Sequence, residues 1–362
     1  MTTKLLQIPL GSQHIALLEP LHLKFLTENE TVRHVKADLG YVHRGVEEAC
    51  MTRFTYKQVP TVVSRVCGLC AITHATTACI ALEKTLGLAI ADRAHYLRML
   101  AVELDRIHSH LLCLAHTAEC SGYEALFMKT MMRRETVMGA IEVLTGNRVQ
   151  CDFSAIGGVN RDMTSGVEAT VRAKLGEMKP YADELFEAFA SNYTLSLRFA
   201  GVGVLSLERV NALGVTGVLA RAAGAATDLR AENDDLPYGA LGFTPIVEQK
   251  GDIHSRNLVR LKEIRQSIEL CERILDAMPE GECKVKVRGK PDGEAIARIE
   301  APRGELFYFV KGNATPTLDR LRIRTPTYAN LAVFLEIFNG EEFAAVPPIL
   351  ASLDPCMSCT AK

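Results

Sequence analysis

Two pairs of cysteines near opposite ends of the chain have the spacing of metal ligands. Cys67 and Cys70 lie in one Cys-x-x-Cys segment, and Cys356 and Cys359 lie in another. Thiols three residues apart can face a common centre, and soft thiolates bind transition metals such as zinc, nickel, copper and iron. Residues 71–355 separate the pairs, whereas the halves of a zinc ribbon are only roughly 12 to 20 residues apart. If the pairs share a metal, the fold must bring both ends of the chain together, which favours a catalytic centre over a small zinc module.

The composition is that of a soluble globular protein. The 362 residues are 48% hydrophobic and 23% charged, and the formal charge of −2 gives no electrostatic basis for binding nucleic acid. No stretch reaches the roughly 18 apolar residues of a membrane-spanning helix. The start of the chain also lacks the apolar core of a signal peptide. We therefore expect a cytoplasmic protein, which other subunits would hold in place if it works at a membrane.

The other cysteines lack any pair spacing. They are Cys50, Cys79, Cys113, Cys120, Cys151, Cys271 and Cys283. Their positions do not match the spacing of iron–sulfur cluster ligands, and in a reducing compartment they are best interpreted as small buried apolar residues. We expect no iron–sulfur cluster in this chain, so any route for electrons would belong to a partner.

The periodicity of apolar residues predicts an α+β fold that is mostly α. We expect a bundle of long helices with small antiparallel sheets near the N-terminus and at about 282–311. One catalytic domain would span 1–362. Its parts would be a β and turn region, a helical body, a β meander and a segment with the second cysteine pair, at 1–60, 61–280, 281–327 and 328–362.

Individual elements follow from the same patterns. Residues 91–120 carry apolar side chains at three- and four-residue spacing, which predicts a helix long enough to run through the protein. A helix over 125–144 would end at Gly146 as a glycine cap. Further helices are expected over 164–190, 205–224, 254–277 and about 328–338. Strands are expected at 21–25, 284–287, 296–299 and 306–310.

The motifs together resemble one family, the large catalytic subunit of nickel–iron hydrogenases. More narrowly, the sequence is similar to the energy-converting, membrane-associated group that is related to the quinone-site subunit of respiratory complex I. Two Cys-x-x-Cys pairs in these contexts are highly specific, whereas either pair alone would be weak. The resemblance covers essentially the whole chain and is carried by residues 11–14, 19–20, 40–47, 65–74, 103–111, 157–159, 300–305, 326–331 and 354–359.

The resemblance implies a nickel–iron centre held by the four thiolates. Cys67 and Cys356 would be terminal ligands of nickel, and Cys70 and Cys359 would bridge nickel to iron. The iron would carry one carbon monoxide and two cyanide ligands. Such a centre brings a large negative charge into a dry site, which is costly unless it is compensated.

Further residues acquire roles around that centre by resemblance. Arg303 would compensate the charge above the cyanides, and Thr327 would donate a hydrogen bond to a cyanide. His74 would donate a hydrogen bond near Cys70 and so fix ligand geometry. Arg65 and His14 belong to the matching motifs and would support the ligands from further out.

The implied reaction is reversible cleavage of dihydrogen, which needs a base close to the metal. The Cys356 thiolate is the first candidate for that base, and Arg303 is the rival. Glu19 matches the family's carboxylate for proton exit. Glu47 matches a carboxylate that binds magnesium or an additional iron in many relatives. Lys362 stands where classical relatives have a histidine ligand to that extra metal, and a lysine is a poor magnesium ligand.

Simpler interpretations remain open at this stage. The cysteines could hold a structural zinc or form a disulfide, or the chain could be a complex-I-like subunit that binds quinone without hydrogenase activity. Glu19 could be a surface carboxylate at the end of a strand, and Glu47 could pair with Arg44 or another basic residue. His108 and His110 are better interpreted as packing or hydrogen-bonding residues than as ligands.

The resemblance also implies partners. A small subunit with a proximal 4Fe-4S cluster would dock near the active site, and reduced ferredoxin would supply electrons through a ferredoxin-like iron–sulfur subunit. Integral membrane subunits would couple the reaction to proton or sodium translocation at the cytoplasmic side of the membrane. A carbon monoxide or formate dehydrogenase could stand upstream through ferredoxin. No nucleic acid is expected as a partner.

Overall fold

The N-terminal part is an antiparallel sheet of three strands. In the computed structural model, which describes residues 5–14, 17–232 and 235–362, the strands β1 (Leu5–Leu10), β2 (His22–Glu28) and β3 (Thr31–Asp38) pair in chain order. Alternate side chains of β2 are buried, as a strand with one buried face requires. Phe25 packs its ring edge-on against Phe338, 5.4 Å away. The predicted strand at 21–25 is confirmed, and this sheet contacts the C-terminal part of the chain.

The helical body begins with two short helices and three longer ones. They are α1 (Val46–Thr52), α2 (Val59–Ser64), α3 (Ala71–Leu86), α4 (Asp92–Cys120) and α5 (Glu124–Thr145). Most of the 29 residues of α4 are buried, and these include its polar residues from Glu103 to His110. α5 ends at Gly146, whose left-handed φ of 85° makes it the predicted glycine cap. The two long helices predicted here are confirmed.

The rest of the helical body contains one correction. After a two-stranded hairpin, β4 (Ser154–Ala155) and β5 (Gly158–Val159), the helices are α6 (Ser165–Ala190), α7 (Tyr193–Phe199), α8 (Leu207–Leu213), α9 (Val218–Ala222), α10 (Leu229–Glu232) and α11 (Ile253–Ala277). The single helix predicted over 205–224 is wrong, because α8 and α9 are separate. Gly214 and Gly217 between them have φ of 63° and 74°, values that end a right-handed helix. At Gly217 a Cβ would lie 2.2 Å from the carbonyl oxygen of Arg303, so only glycine allows this close approach.

The second three-stranded sheet is shifted toward the C-terminus relative to the prediction. Its antiparallel strands are β6 (Asp292–Ala301), β7 (Gly304–Asn313) and β8 (Arg320–Arg324). The strand predicted at 284–287 is wrong, because this segment makes only an isolated bridge between Lys284 and Gly158 beside the β4–β5 hairpin. Alternation does not reveal which partner a segment will find. Ala301 pairs with Gly304, so Arg303 stands at the tip of a two-residue turn between β6 and β7.

The C-terminal segment is a series of short helices. They are α12 (Pro326–Ala329), α13 (Leu331–Glu336), α14 (Val346–Leu353) and α15 (Met357–Thr360). α14 ends at Asp354, whose φ of 54° is left-handed, and the chain then turns toward Cys356. Within the described parts of the chain, every helix is too short or too polar to cross a membrane. The predicted α+β architecture with small antiparallel sheets is confirmed.

Candidate metal centre

The two cysteine pairs meet in the interior. Cys67 and Cys70 lie in the loop from α2 to α3, and Cys356 and Cys359 lie at the start and inside of α15. The Cys356 thiol donates to Cys67 Sγ at 3.3 Å, and the Sγ atoms of Cys70 and Cys359 are 3.6 Å apart. All four side chains are at most 4% exposed. We call this group of four residues the thiol centre.

The electrostatics of the thiol centre make one sulfur different from the rest. Hydrogen bonds from the other thiols, that of Cys356 first, hold the pKa of Cys67 well below its usual value although burial opposes this. Hydrogen bonds with the other cysteines and burial raise the pKa of Cys359 well above its usual value. At Cys70 and Cys356 the hydrogen bond with Cys359 lowers the pKa. The interaction with Cys67 and burial raise it by more, so the pKa of both thiols lies well above its usual value. Metal binding to thiols with raised pKa values would have to displace their protons.

Arg303 brings a buried positive charge to this centre from the turn between β6 and β7. Its Nε and one terminal nitrogen donate to the carbonyl oxygen and carboxylate of Asp354 at 2.9 and 2.7 Å, and the other nitrogen donates to Ser109 Oγ at 3.1 Å. Burial lowers the pKa of Arg303. The carboxylate of Asp354 and the nearby cysteines raise it by more, so the pKa lies well above its usual value. The guanidinium is thus permanently charged and held by two elements, the α14–α15 loop and α4.

His74 in the first turn of α3 reaches the sulfur of the other pair. Its Nδ1 is 2.6 Å from the hydroxyl of Tyr308, and its Nε2 is 3.4 Å from Cys359 Sγ. Burial lowers the pKa of His74 to about 4 and raises that of Tyr308 well above its usual value. Both groups are therefore neutral, and their contacts join Tyr308, His74 and Cys359 Sγ in one line. The predicted contact was near Cys70, and the structure places it at Cys359.

Side chains from distant elements hold the segment that carries Cys356 and Cys359. Thr327 Oγ1 accepts from the amide of Cys356 at 3.2 Å, and Thr325 Oγ1 donates to the carbonyl of Cys359 at 2.9 Å. Arg44 donates to the carbonyls of Val66 and Ser358 at 2.9 and 2.8 Å. One arginine thus joins the backbones that precede Cys67 and Cys359. It fixes the two cysteine loops relative to each other.

Glu19 lies beside the second cysteine pair. Its carboxylate accepts from the amide of Ser358 at 3.1 Å and also from the Ser358 hydroxyl. Both groups are half-buried. The carboxylate therefore reaches the backbone between Cys356 and Cys359, at the boundary between the buried sulfurs and the surface.

The remaining predicted residues lie further from the sulfurs. Arg65 directs its exposed guanidinium to Asp152, and His14 is exposed on the turn after β1. Glu47 in the first turn of α1 accepts from Arg322 at 2.7 Å and from the amide of Ile323 at 2.8 Å. The basic partner of Glu47 is thus Arg322 and not Arg44.

Sequence reasoning missed several residues that shape the centre. Tyr308, Ser109 and Asp354 orient His74 and Arg303, and Arg44 joins the cysteine loops. Asp354 and Arg44 stand inside the motifs that carried the family resemblance, so a signal for them existed. Tyr308 is one residue of an alternating strand, and nothing in its local pattern points to a histidine far away in the sequence.

The donor set fits a nickel–iron group. Four thiol sulfurs converge in two close pairs, and the ligand atoms of Cys67, Cys70 and Cys359 all lie within 4.8 Å of one another. Thiolates suit nickel and iron, and the buried guanidinium of Arg303 offsets the negative charge that such a group brings. No other group in the described parts of the chain gathers three or more metal-binding side chains this closely.

Family models match both parts of the chain. Residues 44–118 match the nickel-dependent hydrogenase family. Residues 121–290 and 283–362 match the family described as respiratory-chain NADH dehydrogenase, 49 Kd subunit. The first match contains one cysteine pair, and the second contains the other.

Individual proteins are similar over the full length. The chain is 37% identical to the carbon monoxide-induced hydrogenase of Rhodospirillum rubrum, covering 98% of this chain and 99% of that protein. It is 34% identical to the membrane-bound hydrogenase subunit alpha of Pyrococcus furiosus, covering 98% and 87%. It is 32% identical to a subunit of the F(420)H(2) dehydrogenase of Methanosarcina mazei, covering 97% and 96%. The similarity therefore extends beyond proteins that are named hydrogenases.

A solved structure has the same fold. It belongs to the membrane-bound sulfane sulfur reductase, an archaeal respiratory membrane complex. The TM-score is 0.93 at 27% identity, with 99% of this chain and 98% of that chain covered. Since this complex is named for another substrate, the fold does not decide between reactions, and the side chains of the site must do so.

Proposed function

Because the chain belongs to the large subunits of energy-converting nickel–iron hydrogenases, a family related to the 49 Kd subunit of respiratory NADH dehydrogenase, we propose that it catalyses the reversible formation of dihydrogen from protons and electrons. The observation that carries this proposal is the convergence of all four thiols in a dry interior. A surface clip for zinc would not need Arg303 or the length of chain between the two pairs.

Cys67, Cys70, Cys356 and Cys359 would hold the nickel–iron group. When bound, that group supplies the site at which dihydrogen is polarised and the two electrons are stored. Arg303 keeps its charge beside the sulfurs because Asp354 and Ser109 fix its three nitrogens. Tyr308 contacts His74, which contacts Cys359 Sγ, and this line of contacts fixes the orientation of the ligand.

The proton moves between Cys356 and Glu19. Cys356 Sγ would be the first base, because as a ligand of the bound group it would lie next to the site where the proton is released or consumed. Glu19 contacts Ser358, which stands between the two cysteines of the second pair. A half-buried carboxylate in this position can accept the proton and pass it to the surface. Arg303 instead stays protonated and acts by charge.

Electrons would leave on the other side of the thiol centre. Gly68 and Leu69 in the first cysteine loop are half-exposed, and Arg65 and Asp152 beside them are exposed. A small subunit with a 4Fe-4S cluster would dock on this face, with ferredoxin supplying its electrons through a further iron–sulfur subunit. Membrane subunits would anchor the complex and translocate protons or sodium, and one relative is named a membrane-bound hydrogenase subunit. An upstream carbon monoxide or formate dehydrogenase would reduce the ferredoxin.

Infrared spectroscopy with metal analysis on the purified complex tests the proposal. One carbonyl and two cyanide bands are expected between roughly 1,850 and 2,150 wavenumbers, together with about one nickel per chain. Dihydrogen formation from a reduced artificial donor should accompany them. A matured complex with zinc or no metal, and without these bands, would contradict hydrogenase activity. It would favour a function like that of the relatives that act as dehydrogenase subunits.

A further inference from the structure

One guanidinium, that of Arg44, binds the backbones of both cysteine loops. Its Nη1 donates to the carbonyl of Arg65 at 2.9 Å, and its Nη2 donates to the carbonyls of Val66 and Ser358 at 2.9 and 2.8 Å. The first two carbonyls directly precede Cys67, and the third lies inside the second cysteine pair. The arginine is exposed, whereas all four cysteine side chains are buried. The two loops are thus joined at the surface, above sulfurs that water does not reach.

The fork of an arginine suits this set of acceptors. A fourth bond runs from Nε of Arg44 to the carbonyl of Val42 at 3.1 Å, so all three nitrogens of the guanidinium are used. Arginine presents five N–H groups in a fixed plane, whereas lysine presents a single nitrogen. Every acceptor is a backbone carbonyl. The bonds therefore depend on where the loops lie.

The backbone of Arg44 is itself fixed by the start of α1. Gly45, the next residue, precedes this helix with a left-handed φ of 64°, which glycine adopts without strain. In the first turn of α1, Glu47 accepts from Arg322 at 2.7 Å and from the amide of Ile323 at 2.8 Å. Both donors belong to β8. Because α1 is anchored to this strand, the arginine can restrain the cysteine loops and does not merely follow them.

The second cysteine pair is also held on its buried side. Thr325 donates to the carbonyl of Cys359, and Thr327 accepts from the amide of Cys356. Both threonines are buried, so breaking their bonds leaves polar groups without water, which is costly. Water can replace the partners of an exposed side chain such as Arg44 at a much lower cost. The surface contact should therefore open more readily than the buried ones.

We propose that Arg44 is a latch between the two cysteine loops, a positioning residue that keeps the second pair closed over the thiol centre. When the latch opens, the loop that carries Ser358 can move away from the first pair, and a metal ion or a reagent can reach the sulfurs. The closure of the metal-free centre depends on the contacts described above. The consequence for nickel rests in addition on the proposed function.

Thiol labelling of the full chain, produced without nickel, tests the latch itself. A maleimide is added under native conditions, and mass spectrometry follows the rate at which each cysteine is modified. In Arg44→Met we expect Cys356 and Cys359 to react about 10- to 100-fold faster, the range that corresponds to losing a hydrogen bond to a charged group. Cys271, which is fully buried on α11, should react as slowly as in the unmodified chain, because the rest of the fold stays closed.

Two further variants separate the latch from other effects of the substitution. Arg44→Lys keeps the positive charge but loses the fork, so its cysteines should be labelled nearly as fast as those of the methionine variant. Arg33→Met removes another exposed arginine, which pairs with Glu28. As the matched control, it should be labelled like the unmodified chain.

Nickel release from the assembled complex tests the consequence for the metal. With a chelator in excess, the Arg44→Met complex should lose nickel about 10-fold faster than the unmodified complex or more, since the same opening admits the chelator. If the unmodified complex contains no nickel, the proposed function fails, but the labelling experiment still decides the role of Arg44.

Three labelling results would overturn the latch. The first is an unchanged rate at Cys356 and Cys359 in Arg44→Met. The second is an equal acceleration at Cys271, which would show general unfolding. The third is a lysine variant labelled as slowly as the unmodified chain, since charge alone would then suffice. An unchanged rate of nickel release would overturn the part of the proposal that concerns the metal.

Discussion

Two buried polar clusters lie on either side of the Arg303 turn, and they differ in what completes them. One is the thiol centre. The other, which we call the ionic cluster, is formed by Glu103, Arg106, Arg221, Asp228, Arg230, Glu263 and Glu300. Arg221 alone contacts Glu300, Glu263 and Asp228 at 2.7, 2.9 and 3.3 Å. The sulfurs have mainly one another as partners. The carboxylates of the ionic cluster are therefore paired within the protein, whereas the thiol centre offers sulfur ligands that suit a metal.

The two clusters offset the free-energy cost of burying charged groups in different ways. In the ionic cluster, burial raises the pKa of Glu263 but Arg221 and His110 outweigh it, so the pKa is well below its usual value. Charge is kept because a fixed guanidinium is present. In the thiol centre three of the thiols have raised pKa values and keep their protons. The first cluster should therefore determine stability, and the second should determine metal binding and activity.

The largest expected effect is that of Cys356→Ser. Loss of one sulfur should abolish nickel binding and hydrogen activity together, because a serine hydroxyl is a poor ligand for these metals. The free energy of unfolding of the metal-free chain should hardly change. Metal analysis, a hydrogen assay and urea denaturation measure the three quantities. Cys283→Ser, outside the thiol centre, is the control that should retain metal and activity.

Glu19→Gln should separate metal holding from proton transfer. The amide oxygen of Gln can still accept from Ser358, so the loop should keep its shape and its nickel, but an amide cannot carry the proton. We expect hydrogen–deuterium exchange activity to fall by about 10² to 10⁴-fold. The exposed Glu124, changed to Gln, should behave as the unmodified protein. Full exchange in Glu19→Gln would remove this residue from the proton route.

Arg221→Met should have the converse result. It leaves the carboxylates of Glu263 and Glu300 buried without their main partner, and breaking such a buried pair costs about 3 to 5 kcal/mol. The folded fraction should still bind nickel. Arg209→Met, which removes an exposed ion pair with Glu336, should leave the urea midpoint unchanged. Equal midpoints for both variants would show that the ionic cluster does not determine stability.

A smaller effect concerns pH and His110, which contacts Glu263 at 2.8 Å. Burial lowers the pKa of His110 to about 4, although Glu263 acts in the opposite direction. Unfolded histidine binds its proton near pH 6.5, so between these values the unfolded state holds more protons. Stability should therefore fall as the pH is lowered from about 6.5 to about 4. In His110→Gln the decline, measured by urea denaturation, should be shallower. A parallel decline in both proteins would contradict this assignment.

The parts of the fold that were predictable are those with local patterns. The apolar spacing of α4 and α11 and the glycine cap of α5 are properties of continuous segments. The strand at 284–287 was misplaced because alternation does not identify a pairing partner. The break between α8 and α9 lies at Gly214 and Gly217, whose positive φ values end a right-handed helix, and the close contact of Gly217 with the Arg303 turn exists only in three dimensions.

The same division holds within the site. The four cysteines were predictable because thiols at this spacing have few other uses, and the structure brings them together. Which side chains would contact one another around the site was not predictable, because most of these contacts join elements that are remote in sequence. Tyr308 lies 234 positions from His74, and Ser358 lies 314 positions from Arg44. The basic partner of Glu47 was not predictable for the same reason, since Arg322 is brought to it by β8.

The long stretch of chain between the paired thiols also delays the assembly of the thiol centre during protein synthesis. Cys67 and Cys356 are 289 positions apart, and a ribosome adds roughly 5 to 20 residues per second. The first pair therefore waits for about 15 to 60 seconds of synthesis before the second pair emerges. A chain that stops between residues 70 and 355 carries the first cysteine pair and neither thiol of the second. Only chains translated beyond residue 359 could therefore bind nickel through all four thiols. The nickel content per chain in a cell extract would measure the fraction of such chains.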